Sequence, residues 1–540
     1  MVKQKTMCIM LAAITVFSLL GCGKNAGEIQ ENTTAESIVP DNGNIWEAYD
    51  ETVTISTVLP QNPGATYPEG DDITRNVWTR SYKEWFNIDV VTDWVSDEYD
   101  TKLNLSIAEG NIPDVFYVNA SQLQQLIDAD MIWDLTDVYN NWASDKIKEC
   151  IDYDPDAYEA GSRNGKLYGI PNLHYGYMEQ PDYVWIRKDW RTALNYDQPE
   201  TMDDLVEMMR AFMKEYGGYG MAVEQTLDYL NLLAIAWGAH PDAWIKTDSG
   251  EIEYGSIQPE MKEALKEWAE WYKEGILSPD FASMSYEQMN QDVIAGKVGV
   301  QPYYQWWGWN PGKDEVTAQG ENAYFEPFMI PSANGEDVLQ SIFFANTTYT
   351  VVSKKCKYPE AALKLINFYG YVCGDAVNEK GMEWTDQYLY EERTHNGAFR
   401  VMDPVNEERM YLETVEALKI KDSSNIKTLS GRQRYNDNIK WEEKHDPTAI
   451  GSVLQVGIER CSYGLAKEIL DNNQYIKSEL KGFTPETILK TGTTLDDILT
   501  EGFTKIIIGD QPIEYFDTIV ESWKKAGGEQ ATKEMNELYN

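Results

Sequence analysis

The chain has 540 residues, of which 42% are hydrophobic and 25% charged, the balance of a soluble globular protein and not of a disordered or fibrous one. Single cores stop growing near about 250–300 residues, so a body of this length is expected to divide into two lobes. Acidic residues outnumber basic ones by 89 to 46 and leave a net charge of −43. That field repels nucleic acid and anionic lipid headgroups, and argues weakly against a polyanionic ligand, since local charge in a cleft can override the total.

The first 21 residues read as a secretory signal. Lys3 and Lys5 form a positive start, Met7 to Leu20 an apolar run, and Leu19-Leu20-Gly21-Cys22 a small-residue cut site. The apolar run is too short to cross a bilayer, which needs about 20 residues. Residues 22–45 are polar and rich in Gly, Asn, Glu, Thr and Ser, so they cannot bury enough surface to order themselves and are expected to form a tether.

Strand and helix patterns alternate after that. Val53 to Val58 is a β-branched run, Asn76 to Phe86 a helix, Ile88 to Val95 a second strand, Tyr99 to Glu109 a helix and Val115 to Val118 a third strand. This order implies a parallel sheet with helices on both faces, and ligands bind beyond the carboxyl ends of such strands. Asn62, Asn119 and Gln122 lie there and are candidate ligand contacts. Further strands are expected at Gly165–Pro171, Tyr183–Ile186, Lys297–Gln301 and Tyr349–Val352. Thr201 is a good N-cap for a helix carrying Leu205, Met208, Met209 and Phe212, and from about Met410 the chain reads as mostly helical.

Several segments in this order resemble the family 1 extracellular solute-binding proteins of bacterial sugar importers. Gly110-Asn111-Ile112-Pro113-Asp114-Val115, Gly165 to Pro171, Trp185 to Trp190 with Pro199 to Leu205, Gly296 to Val300 and Tyr358 to Ala362 each match a segment of that family, with Met202 where Trp is usual. Phe503 to Ile507, Gly509-Asp510, Phe516-Asp517 and Gly527-Gly528 resemble its large lipoprotein subgroup from Gram-positive bacteria, and Leu-Leu-Gly-Cys resembles the lipobox, in which Cys22 is acylated. The resemblance implies a type II periplasmic-binding-protein-like α/β fold, two hinged lobes with a ligand cleft between them. The implied division is 1–21 signal, 22–45 tether, 46–177 and 341–395 first lobe, 178–340 and 396–540 second lobe. It also implies ABC permease subunits as partner; the long chain and crowded aromatics favour an oligosaccharide ligand, and a lipid-held extracellular location and a monomer with no cofactor and no metal-ligand set are expected.

A sugar ring offers an apolar C–H face and a rim of hydroxyls, matched by aromatic rings and by amide or carboxylate side chains. The chain holds 18 Trp and 34 Tyr, and the stretch Tyr303 to Trp309 gathers three Trp and two Tyr after a strand. Tyr303, Trp306, Trp307 and Trp309 are therefore candidates, with Trp306 and Trp307 preferred because the family's stacking aromatic follows this strand. Tyr175, Tyr177 and Glu179 sit where the chain should cross between lobes, while Trp237 and Trp384 are further aromatic candidates. Trp78, Trp85, Trp268 and Trp523 lie at helical spacing and are expected in the core.

Alternatives are a surface glycan hydrolase or a static glycan adhesin. No spacing singles out a catalytic carboxylate pair, and no His-Glu-x-x-His, phosphate loop or Gly-x-Ser-x-Gly elbow is present. Asp152 to Asp156 lacks the central Gly and terminal Glu of a calcium loop and reads as a solvated turn. Cys150, Cys356, Cys373 and Cys461 fit no metal spacing and are expected to be buried thiols, with one bridge among them at most.

Overall fold

In the computed structural model the chain is described for residues 44–61, 67, 69–173, 176–344, 346–374 and 399–540. The expectations for Cys22, the signal and most of the tether fall outside them. No described helix is long and apolar enough to cross a membrane.

The first lobe is built on β1 (Val53–Pro60), β2 (Ile88–Ser96), β3 (Val115–Val118) and β4 (Gly169–Leu173). β1 and β2 pair in parallel because the helix Val77–Phe86 returns the chain, and Asn76 caps that helix with a reciprocal bond to Thr79. Asp114 ties β1 to β3. Its carboxylate accepts from the Ser56 N–H and hydroxyl at 2.9 Å, and its own N–H donates to the Ser56 hydroxyl.

The second lobe carries β5 (Tyr183–Arg187), β6 (Val300–Tyr303) and β7 (Phe325–Phe328) in the antiparallel order β6-β5-β7. The helices Met202–Tyr216 and Pro259–Glu274 pack behind it, with Met208, Met209, Phe212, Leu265 and Trp268 in one core. The chain then runs through β8 (Gln340–Ile342) to β9 (Asn346–Val352), which inserts between β3 and β4 of the first lobe. After residue 399 it turns back. The helix Asn406–Ile420 packs through Met410 with Met178, Val456, Tyr463 and Ala466, while Leu495, Phe503, Ile519, Trp523 and Met535 further along join the core of the second lobe. β10 (Tyr475–Lys477) pairs with β8. Trp78, Trp268 and Trp523 are fully buried, as their spacing predicts, and Trp85 is partly so.

Three passages between the lobes are stitched together. The Gln180 amide donates to the Phe343 carbonyl at 3.0 Å and accepts from the Phe343 N–H at 2.7 Å. Gln340 makes the same pair of bonds with the backbone of Asp182. Gly176 is small because it must be. A Cβ there would lie 1.9 Å from the Pro404 carbonyl, so only glycine lets the first and third passages touch. The Asp403 carboxylate joins Lys146 of the first lobe, at 2.8 Å, to Arg409, at 3.2 Å.

The first described residues are clamped to the first lobe. The Lys364 ammonium, on the helix Glu360–Tyr369, donates to the carbonyls of Asn44, Ile45 and Glu47 and lies over the rings of Tyr49, Phe86 and Trp142.

Candidate functional site

The register of the second sheet fixes the site. Tyr303 pairs with Tyr183 and Phe328 with Val184, so β6 and β7 end at the edge where β5 begins, and that edge faces the hinge. Asp182 and Tyr304 leave the sheet there side by side. The rings of Tyr304 and Trp306 stack at 6.0 Å and 18°, and both are part-exposed. Tyr303, by contrast, is fully buried, stacked on Tyr229 at 4.6 Å with its hydroxyl bonded to that of Tyr286. Trp307 is also fully buried, stacked on Trp185 at 5.8 Å and against Phe325.

The preferred pair Trp306 and Trp307 therefore splits. After Tyr304 the chain turns helically, with Trp307 N–H donating to the Tyr304 carbonyl, and successive side chains on a helical turn point about 100° apart. Trp306 stays at the edge and Trp307 wedges the interior. Trp309 takes a third direction. Its ring lies between the Arg434 guanidinium, 4.6 Å from the centroid, and Gly451, where a Cβ would sit 2.5 Å from the ring.

Desolvation first, and then the charges of Asp182, Asp228, Glu224 and Asp242, act to raise the Tyr304 hydroxyl above the ordinary tyrosine range. Asp242 is solvent-exposed, yet desolvation raises its carboxyl as well. Asp182, with desolvation alone behind it, is pushed up to about 8.

At the hinge, the Tyr463 hydroxyl lies 2.8 Å from Glu179 and 3.0 Å from Glu407. Desolvation, then the Glu407 charge, pushes Glu179 up to about 8, while the Arg434 charge opposes the rise. Arg434 donates to Gln455, whose amide donates to Gln305 at 2.7 Å. The Tyr177 hydroxyl donates to Asp154 at 2.9 Å and accepts from Lys477, so it links the two lobes and also closes the Asp152–Asp156 turn.

Asn119 and Gln122 have structural work. Asn119 caps the helix Ala120–Asp128, Gln122 returns the bond to the cap, and both amides donate to Asp100. Their spacing is that of a capping box, a signal present in the sequence. Trp237 packs on Trp268 and Trp271 and faces a groove between the helices Met202–Tyr216 and Pro259–Glu274, away from the strand edge. Asn62, Tyr175 and Trp384 lie outside the described residues. Asp182, Tyr304 and Arg434 are candidates that sequence reading does not single out. Tyr304 stands inside the aromatic run, but Arg434 comes more than a hundred residues later with no local signature. Among the described residues no acidic, His or Cys group is arranged to hold a metal. Cys150, Cys356 and Cys461 are buried, and Cys356 and Cys461 are free thiols.

The family model of the bacterial extracellular solute-binding protein matches residues 67–370. The chain belongs to that family. Lipoprotein LipO of Bacillus subtilis is 23% identical over 501 residues, covering 85% of this chain and 88% of LipO. The polygalacturonan/rhamnogalacturonan-binding protein YtcQ of the same organism is 21% identical, covering 84% of this chain and 86% of its own. A solved HMO binding ABC-transporter associated solute-binding protein from Bifidobacterium longum infantis superposes with a TM-score of 0.62 at 14% identity, over 90% of this chain and 98% of that one. Such a likeness establishes the fold, two α/β lobes joined by a hinge, which is the architecture that the motifs imply.

Proposed function

We propose that this solute-binding protein is the lipid-anchored, oligosaccharide-capturing component of an ABC importer, not an enzyme. The observation that carries the reading is the stacked Tyr304–Trp306 pair at the hinge-facing strand edge, where Asp182 leaves the sheet beside it. YtcQ, a relative over most of its length, is named for polysaccharide binding, which supports a sugar ligand. Ligand contacting both lobes would stabilise a closed state, and the permease would read that state.

On this reading residues 178–340 and the chain after residue 399 make the second lobe, and 46–177 with 341–374 the first. A return passage near 399–405 is supported by Phe399, which packs on Tyr82 and Tyr117, and by Asp403, which bonds Lys146 and Arg409. Lipid on Cys22 and the polar residues after it would hold the body near its permease and raise its effective concentration there.

Calorimetric titration against a panel of neutral and acidic oligosaccharides tests the reading. Binding of at least one, lost in Trp306→Ala, is expected; no binding by any member overturns it. Scattering profiles that superimpose with and without a tight ligand would rule out closure. Membrane retention of Cys22→Ala would rule out the anchor.

A further inference from the structure

We propose that Arg434 is a specificity-determining contact of the sugar site, forking its two Nη atoms onto neighbouring oxygens of one bound unit. This rests on the sugar-binding reading above and names a residue that chooses among sugars. Arg80, Arg163, Arg187, Arg191, Arg210 and Arg409 each hold a carboxylate in an ion pair. Arg434 holds none among the described residues, in a chain with 89 acidic residues against 46 basic ones. Its Nε donates to the Gln455 amide oxygen at 3.2 Å, and its guanidinium covers the Trp309 ring, 4.6 Å from the centroid. Both Nη atoms lack a partner among the described residues, and neither is sealed from water. The outer fork of donors is therefore open.

The fork is held in place by the turn that carries the stacked rings. Gln455 is buried and donates onward to Gln305 at 2.7 Å, and Gln305 stands between Tyr304 and Trp306 in the chain. Trp309 belongs to the same turn, its N–H donating to the Trp306 carbonyl at 3.0 Å. Side chains three apart on a helical turn start about 5–6 Å from each other, so the ring under the guanidinium is a neighbour of Trp306. Trp309 and Arg434 are both part-exposed. Gly451 backs the other face of Trp309, where a Cβ would sit 2.5 Å from the ring, so the ring has no room to retreat from the guanidinium. The hinge carboxylates do not claim the fork, since Glu179 and Glu407 both bond the Tyr463 hydroxyl instead, at 2.8 and 3.0 Å. An arginine fixed on one edge and one face loses little freedom when it binds, and its planar fork suits paired oxygens as a lysine does not. A sugar unit offers such pairs as neighbouring hydroxyls or as a uronate carboxylate, and a fork of fixed shape tells them apart.

The test is calorimetry on the full-length protein, as wild type, Arg434→Gln and Arg434→Lys, with malto- and xylo-oligosaccharides and with oligogalacturonates of equal length. Arg434→Gln should weaken the tightest-binding of these at least about tenfold, as lost hydrogen bonds from a charged donor do. The weakest-binding should lose far less, and the melting temperature should stay within a few degrees of wild type. Arg434→Lys keeps the charge without the fork and should recover only a small part of the loss. A loss greatest on oligogalacturonates would put the fork on a carboxylate, and one greatest on a neutral sugar would put it on neighbouring hydroxyls. Affinity unchanged in Arg434→Gln, full recovery by lysine, or an equal loss on every sugar, as a merely structural role would give, would overturn the proposal. Binding of no sugar by the wild type would instead remove the sugar-binding reading on which it stands.

Discussion

Gln180 and Phe343 exchange two hydrogen bonds, side chain to backbone, between adjacent strands of chain that pass from one lobe to the other. A primary amide here imitates a peptide group, so the two passages are paired as if they were a short ladder. Gln180→Ala removes both bonds, each worth about 0.5–1.5 kcal/mol net. The denaturation midpoint should fall accordingly, and small-angle scattering should show a broader spread of interlobe angles. An unchanged spread would mean that Gln340 and Gly176 suffice to hold the hinge.

Two neighbouring tryptophans should fail in different ways. Trp307→Ala empties a fully buried volume and should cost about 3–5 kcal/mol of stability. Trp306→Ala, at the part-exposed edge, should leave the melting temperature within a few degrees of wild type while abolishing measurable sugar binding. Thermal denaturation and calorimetry on both variants separate the two roles.

Stability should decline between pH 5 and 8. The Glu179 carboxyl is pushed up to about 8 in the folded protein, by desolvation and then by Glu407, from an ordinary value near 4.5. Between those limits the folded state holds a proton that the unfolded state has released, so stability falls as pH rises. Glu179→Gln removes that proton exchange. It should flatten the decline and gain stability at pH 8 relative to pH 5, as urea midpoints at several pH values would report.

Asp403 should be less replaceable than any surface acid. Its side chain is 3% exposed and holds Lys146, itself 10% exposed, as well as Arg409. Asp403→Asn strands one buried cation, at a cost of about 3 kcal/mol. Asp403→Asn combined with Lys146→Met should recover much of that loss, a difference readable from denaturation curves.

What the sequence made legible was local. Thr201 caps the helix Met202–Tyr216 through Asp204, and the apolar face predicted for it is the buried one, because capping and periodicity act within a few residues. The strands Val115–Val118 and Tyr183–Arg187 likewise match their β-branched and aromatic runs. The Trp306 and Trp307 directions were not legible, since a helical turn begins inside an aromatic run that reads as strand followed by loop. Arg434 on Trp309 depends on the helix Leu429–Lys444 folding back across the second lobe, a contact that no spacing encodes. Asn119 and Gln122 carried a capping signal that competed with their reading as ligand contacts, and the geometry expresses the cap.

The Lys364 clamp has a mechanical consequence. Because Asn44, Ile45 and Glu47 are gripped by a helix of the first lobe, any load applied to the chain at residue 44 is borne by that lobe alone. If the lobes close on a ligand as proposed, the first lobe would be the fixed frame, and the second, linked to it through the three stitched passages and through Tyr177 and Lys481, would be the arm that swings. A leash attached there would restrain where the molecule sits without loading its hinge.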